Sequence, residues 1–250
     1  MQLSSVSALV TGGAQGMGHT FTRELKAAGA RVAFCDLDTE RVAAVADELG
    51  VHGFVADVSD EAQVEQLVAE ASEALGGLNA LVNNAGIIRD GLLVKRDRRT
   101  GELRTLSKAK WDQVLAVNLT GPFLCTRAFA KQVVEREIAS SAVVNISSIS
   151  RHGNYGQSNY AAAKAALAAD TVVWAKELAR YGVRVGAVAP GFIETPMVAS
   201  MPPEARAKAV QPVPLKRLGQ PEEVWEAVRF VLACDYFTGR VVDVDGGLRL

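Results

Sequence analysis

SALVTGGAQGMG, residues 7–18, is a short apolar run closed by a turn containing Gly12, Gly13, Gly16 and Gly18. The run does not alternate apolar with polar residues, so it reads as a strand buried on both faces. The residues after Gly16 carry a helical pattern to about position 28. This unit of strand, tight turn and helix recurs along the chain. Further strands are predicted at 31–34, 53–56, 80–82, 142–146, 183–188 and 240–244. Helices are predicted at 39–49, 61–75, 159–180 and 221–234, with one long helix across 107–135. The runs RVAF and AVVNI also lack alternation, which places their strands inside the sheet. Alternating strands and helices imply an α/β fold, a doubly wound parallel sheet of about seven strands with helices on both faces. No linker, repeat or change of composition divides residues 1–250, so a single domain is expected.

The composition narrows the function. The chain has 250 residues, 49% of them hydrophobic and 22% charged, with a formal net charge of −1. That apolar fraction supports a large core, and the near-neutral charge argues against nucleic acid or an anionic membrane as a bulk partner. The cysteines at 35, 125 and 234 and the histidines at 19, 52 and 152 show no metal-ligand spacing, so no metal site is expected. An odd number of well-separated cysteines suits a reducing compartment. The N-terminus MQLSSVSALV lacks a basic, then apolar, leader pattern, and no stretch reaches about 18 uninterrupted apolar residues. A cytoplasmic location is expected. One segment, VKRDRRTGELRTLSKAKW at 94–111, interrupts the rhythm. Two short polar strands around Thr100-Gly101 would make a surface hairpin near 94–106, and a solvated loop without function is the alternative.

The glycine turn has a chemical reading. Gly12, Gly16 and Gly18 depart from the strict G-x-G-x-x-G order, yet they still allow a tight turn and a close backbone approach to a pyrophosphate at a helix N-terminus. On this reading Gln15 and Met17 complete the cofactor-facing turn of a Rossmann-type sheet. Asp36 ends the second strand, 18 residues after Gly18. A carboxylate there accepts hydrogen bonds from the adenosine ribose of NAD and repels a 2′-phosphate. Neither Gln15 nor Leu37 supplies a cation for that phosphate, so NAD is expected over NADP. Asp38 reads as a helix N-cap. Asp57 and Val58 follow the third strand, where they could bracket adenine. Asp57 could instead cap the next helix, a role for which Asp60 competes. Asn84, Ala85 and Gly86 of NNAG form a small-residue turn with room for a ribose, or an ordinary turn.

Tyr160 and Lys164 stand four residues apart in NYAAAKAALAA, an alanine-rich helical stretch, so their side chains share one face. A nearby ammonium and a cationic nicotinamide would draw the phenol toward a working pKa. The buried strand of VVNISS, 143–148, delivers serines upstream.

In order along the whole chain, TGGAQGMG, Asp57, NNAG, Asn118, ISS, YAAAK and PGFIET resemble the short-chain dehydrogenase/reductase family. NNAGIIRDGLL, GQSNYAAAKA, VAPGFIETPM and VDVDGG are most similar to its 3-oxoacyl-(acyl carrier protein) reductases and 3-hydroxyacyl-CoA dehydrogenases, enzymes of fatty acid metabolism. The resemblance implies an oxidoreductase that moves hydride between NAD and a secondary alcohol or ketone, here a 3-oxoacyl or 3-hydroxyacyl thioester. It implies Tyr160 as general acid or base and Lys164 as the group that holds the nicotinamide ribose and lowers the tyrosine pKa. Ser148 would bond the substrate oxygen, and Asn118 would anchor a proton-relaying water. Pro190, Ile193 and Thr195 would line the nicotinamide and pyrophosphate.

The family usually spaces serine and tyrosine one residue further apart, which makes Ser147 the other candidate. The resemblance also implies a homotetramer packed through the helices near 107–135 and 159–180 and the C-terminal segment. Acyl carrier protein or CoA would carry the substrate, with Lys131 and Arg180 at the positions that dock the carrier protein. Residues 190–217 mix Met, Val and Pro with charge, as a substrate lid does. Sugars, steroids and other small secondary alcohols stay open as substrates, and a non-catalytic dinucleotide sensor is the reading from another class. His152 reads as an exposed loop residue. Trp111, Trp174 and Trp225 read as core or interface.

Overall fold

Short, apolar, β-branched runs supply the strands of a single parallel sheet. In the computed structural model, which describes residues 1–199 and 203–250, they are β1 (Ser7–Thr11), β2 (Arg31–Asp36), β3 (His52–Val55), β4 (Ala80–Asn83), β7 (Ser141–Ile146), β8 (Val183–Pro190) and β9 (Val241–Val244). Two further strands, β5 (Val94–Arg96) and β6 (Leu103–Thr105), pair antiparallel with each other. The large sheet runs β3-β2-β1-β4-β7-β8-β9 with every pairing parallel, the doubly wound α/β order that the alternation of elements predicts. Strand order reverses between β1 and β4, and the crevice beyond their C-terminal ends is where such sheets take ligands.

Helices cover both faces. On one face α1 (Gly16–Ala27), α2 (Thr39–Leu49) and α9 (Pro221–Ala233) bury Phe21, Leu25, Val42, Val228 and Leu232 against the sheet. On the other, α3 (Glu61–Leu75), α5 (Gly121–Glu135) and α6 (Ser158–Leu178) bury Leu67, Phe129, Val133 and Ala175. The central strands β1, β4 and β7 are buried along their whole length, as expected of strands covered on both sides. Asp38 and Asp60 cap α2 and α3 by accepting the N–H groups of Arg41 and Gln63. The predicted lid at 190–217 contains α7 (Pro196–Ala199) and α8 (Pro203–Val210), and its residues 200–202 lie outside the described residues.

The long helix predicted across 107–135 is not uniform. It comprises α4 (Lys108–Leu115), a π-helical turn at Ala116–Thr120, and α5. Pro122 stands in the first turn of α5 and has no N–H, so it cannot bond the Asn118 carbonyl that an uninterrupted α-helix would assign to it. The wider turn accommodates that lost bond.

A polar pin crosses the second core. Asn83 on β4 donates to Thr126 of α5 at 2.9 Å and to the Asn145 carbonyl oxygen on β7 at 2.9 Å. Asn145 donates to Thr171 of α6 at 2.9 Å, and that hydroxyl donates to Leu167. All four side chains are buried, so removing one strands the others without water. Asn145→Ala is expected to lower the unfolding free energy by about 3 kcal/mol and Thr171→Val by about 1 kcal/mol. Urea denaturation of the three proteins checks this, and equal losses would contradict the pin.

Candidate active site

The turn after β1 and the turn after β4 are tied together. Thr11 Oγ1 accepts the N–H groups of Asn84 and Ala85, each at 3.1 Å. The Asn84 side-chain amide donates to the carbonyls of Thr11 and Gly12, each at 3.0 Å. Gly12 has φ +64°, and a β-carbon on Gly18 would lie 2.0 Å from the Gly12 oxygen, so only glycine fits there. Gly16 also has a positive φ, +55°, but a β-carbon there would meet only Thr195 and Pro196, at 3.8 Å.

No side chain caps the N-terminus of α1, because Gln15 instead accepts a hydrogen bond from Arg41. The first-turn N–H groups of Gly16, Met17 and Gly18 are therefore left without a side-chain acceptor, an arrangement whose chemistry suits an anion such as a dinucleotide pyrophosphate. Asp36 accepts Ala14 N–H at 3.1 Å and Leu37 N–H at 2.8 Å, which sets its carboxylate beside the same turn. Arg41 is a cation that the sequence reading missed. One turn into α2, its side chain reaches back to Gln15 while pairing with Asp38 at 3.2 Å. Cβ vectors on helices tilt toward the N-terminus, and that is the signal that would have found it.

Asp57 turns its carboxylate into its own loop, accepting the N–H and O–H of Ser59 at 2.8 and 2.7 Å. The capping role falls to Asp60. Val58 is buried against Gly121. Pro190 ends β8, Ile193 is buried and bridged to Gly219, and Thr195 Oγ1 accepts Val198 N–H at 3.4 Å, at the start of α7.

The Asn118 side chain is buried and wholly engaged with Ile87, accepting its N–H at 2.8 Å and donating to its carbonyl at 2.9 Å. Its backbone carbonyl loses the usual i+4 donor, because Pro122 has no N–H. A β-carbon on Gly86 would lie 3.4 Å from Asn118 Oδ1 and 3.7 Å from Lys164 Nζ, so the NNAG turn, the π-turn and α6 meet at one point. Lys164 is buried, and its ammonium donates to the Ile146 carbonyl at 2.7 Å and lies 5.7 Å from the centre of the Tyr160 ring.

The two serines after β7 separate here. Ser147 donates to the Lys164 carbonyl at 2.9 Å and is thereby occupied. Ser148 Oγ accepts Ser150 N–H at 3.1 Å and stands near enough to Tyr160 to act on its phenol. Behind them Ser150 donates to Gln157 Oε1 at 3.0 Å, and Gln157 Nε2 lies 3.2 Å from both Asp90 oxygens.

Burial pushes the Tyr160 phenol up to about 12, with Ser148 drawing it down and the Asp90 charge raising it. Burial also depresses Lys164 to about 8. His152 is exposed and lines a separate hollow of about 290 Å³ with Asp243, Asp245 and Arg249. Trp225 is a core residue, and Trp111 and Trp174 are partly buried.

Residues 12–249 match the family model described as enoyl-(acyl carrier protein) reductase. A 3-oxoacyl-(acyl carrier protein) reductase of Thermotoga maritima is 39% identical over 256 residues, covering 99% of this chain and 99% of the relative. One from Aquifex aeolicus is 37% identical over 257 residues, again covering 99% of each. A (3R)-3-hydroxyacyl-CoA dehydrogenase of Canis lupus familiaris is 38% identical over 264 residues, covering 99% of this chain and 98% of the relative.

The buried Lys164 has a measurable signature. Its folded pKa of about 8 lies below its ordinary value of 10.5, so the unfolded chain binds more protons across that interval. Stability therefore rises with pH from about 8 upward, and below that window the cost of the buried ammonium is fully present. Relative to Lys164→Met, the wild type is expected to gain about 2 kcal/mol between pH 7 and pH 9.5. Parallel denaturation at the two pH values measures the change, and a constant difference would contradict a depressed lysine.

Proposed function

The chain belongs to the short-chain dehydrogenase/reductase family, and from that premise we propose that it is an NAD(H)-dependent oxidoreductase acting on a 3-oxoacyl or 3-hydroxyacyl thioester. The observation that carries the reading is the meeting of Ser148, Tyr160, Lys164 and the Asn118 turn beside Gly86, beyond the strand ends where the sheet reverses.

The roles follow from hydrogen-bond inventory. Ser148 Oγ accepts an N–H from Ser150, so its own proton points outward, to the Tyr160 oxygen or to a substrate oxygen that takes its place. Tyr160, held protonated by burial, gives its proton to that oxygen in reduction and recovers it in oxidation. Lys164, depressed to about 8, exchanges protons near neutrality and replenishes the phenol. The Asn118 carbonyl, which Pro122 cannot bond, holds the water that links Lys164 to solvent. A nicotinamide held at this site would supply or accept the hydride, and its oxidised ring would lend a positive charge that lowers the Tyr160 phenol.

Gly12, Gln15, Gly16, Met17 and Gly18 hold the pyrophosphate and Asp36 the adenosine ribose, with Leu37, Asp57 and Val58 around the adenine. Asn84, Ala85 and Gly86 face the ribose on the nicotinamide side, while Pro190, Ile193 and Thr195 close the nicotinamide end. Asp36 favours NAD by repelling a 2′-phosphate, with Arg41 beside it already paired to Asp38. In this reading residues 1–250 act as one catalytic domain with residues 190–217 as the substrate lid. Exposed Phe123 and Val134 on α5 and Val173 on α6 support a homotetramer packed through these helices. The odd cysteine count keeps the reading in the cytoplasm.

Tyr160→Phe is expected to reduce the rate of NADH oxidation with acetoacetyl-CoA by about 10²- to 10⁴-fold. Equal rates in the two proteins would remove the catalytic assignment. Asp36→Asn keeps an acceptor for Ala14 N–H while losing the charge, and should raise the use of NADPH relative to NADH about tenfold. An unchanged ratio of kcat/KM values would count against NAD specificity.

A further inference from the structure

Asp90 carries a negative charge to the edge of the candidate site. Its segment follows the NNAG turn and is held against the start of α6, where Gly91 N–H donates to the Gly156 carbonyl at 2.9 Å. The carboxylate faces Gln157, three residues before Tyr160, with both oxygens 3.2 Å from Nε2. Its charge reaches the Tyr160 phenol, which it raises. Asp90 is open to solvent on one side, and partial desolvation on the other raises its own carboxyl, against Gln157 and Lys110.

The cations around it are committed elsewhere. Lys110 of α4 acts on the carboxylate only from a distance, since its ammonium donates to the Asp90 backbone carbonyl at 3.3 Å. Arg89 donates to Gln113 and to the Ile88 carbonyl, and Arg151 pairs with Asp243 at 2.7 Å. Lys164 is buried and donates to the Ile146 carbonyl at 2.7 Å. Among the described residues no cation forms an ion pair with the Asp90 carboxylate.

The donors that could solvate an incoming anion are spent as well. Ser150 Oγ donates to Gln157 Oε1 at 3.0 Å, Asn154 Nδ2 donates to the same oxygen at 2.9 Å, and Gln157 Nε2 serves Asp90. A carboxylate entering here meets a like charge fixed in place and donors already taken, both of which weaken its binding. Neither penalty applies to a neutral carbonyl group. C1 of a 3-oxoacyl compound stands two carbons from the reacting carbonyl, about 2.5 Å away, so a charge on C1 meets this field whichever way the chain turns.

Resting on the thioester reading above, we infer that Asp90 is a specificity-determining residue: its fixed charge turns away free 3-oxo acids, which are anionic at C1, and admits their neutral thioesters.

Kinetics at neutral pH with saturating NADH test this by comparing acetoacetate with acetoacetyl-N-acetylcysteamine, a neutral thioester of the same acid, in wild type, Asp90→Asn and Asp90→Glu. The ratio of kcat/KM for the anion to that for the thioester is expected to rise about tenfold in Asp90→Asn. Asp90→Glu keeps the charge and should stay within about twofold of the wild-type ratio. Taking a ratio cancels any effect of the substitution on the shared chemistry. In the wild type, salt at about 0.5 M should raise the same ratio by screening. A ratio indifferent to Asp90→Asn, or one that Asp90→Glu raises as much, would overturn the proposal.

Ligand-observed NMR titration with acetoacetate and with methyl acetoacetate, its neutral ester, needs no turnover. Asp90→Asn should bind acetoacetate about tenfold tighter than the wild type does, with affinity for the ester unchanged. Equal affinity of the two proteins for acetoacetate would sink the charge selection even where the thioester is reduced. Tighter binding without reduction of any thioester would uphold it and remove the thioester reading instead.

Discussion

The approach of α1 to the end of β1 is the constraint on which the site depends. A β-carbon on Gly18 would lie 2.0 Å from the Gly12 oxygen and 2.5 Å from the Asn84 amide nitrogen, so the helix begins against the strand end rather than beyond it. That contact aims the uncapped N–H groups of α1 into the crevice where the strand order reverses. Asn84 donates to that Gly12 oxygen and to the Thr11 carbonyl and thereby fixes the NNAG turn to the glycine turn. Through Gly86 the arrangement extends to Lys164 and Asn118, so the glycine turn, the NNAG turn and the helix of Tyr160 share one frame.

Within that frame burial drives two neighbouring groups apart. The Tyr160 phenol is pushed up to about 12 and the Lys164 amine down to about 8, whereas in water the two would ionise almost together. Separation of this kind distinguishes a proton donor kept neutral from a base that exchanges near neutrality. The Asp90–Gln157–Ser150 chain adds a fixed backing to Ser148, whose oxygen is already committed as an acceptor.

The sheet was legible because each central strand is an unbroken apolar run and each crossover a helical pattern, features local to the chain. Asp38 and Asp60 were readable as caps for the same reason. What escaped depends on geometry between elements. The π-turn follows from a single missing N–H at Pro122, which periodicity does not register. Arg41 joins the glycine turn only because its side chain folds back from another helix. Ser147 and Ser148 are identical in type and adjacent in sequence, and they part only when one hydroxyl meets the Lys164 carbonyl and the other stands by Tyr160. The burial that raises the Tyr160 phenol was not legible either, because it is a property of the folded surroundings and not of the i, i+4 spacing.

The hairpin buries none of its strand residues, and this bears on how such a protein changes over generations. Substitutions in the core or in the polar pin are filtered by a stability threshold, since the margin of a folded domain is small. A ribbon standing outside the core escapes that filter. It can be lengthened, recharged or lost with little effect on folding, while the sheet and the buried contacts beneath it stay the same.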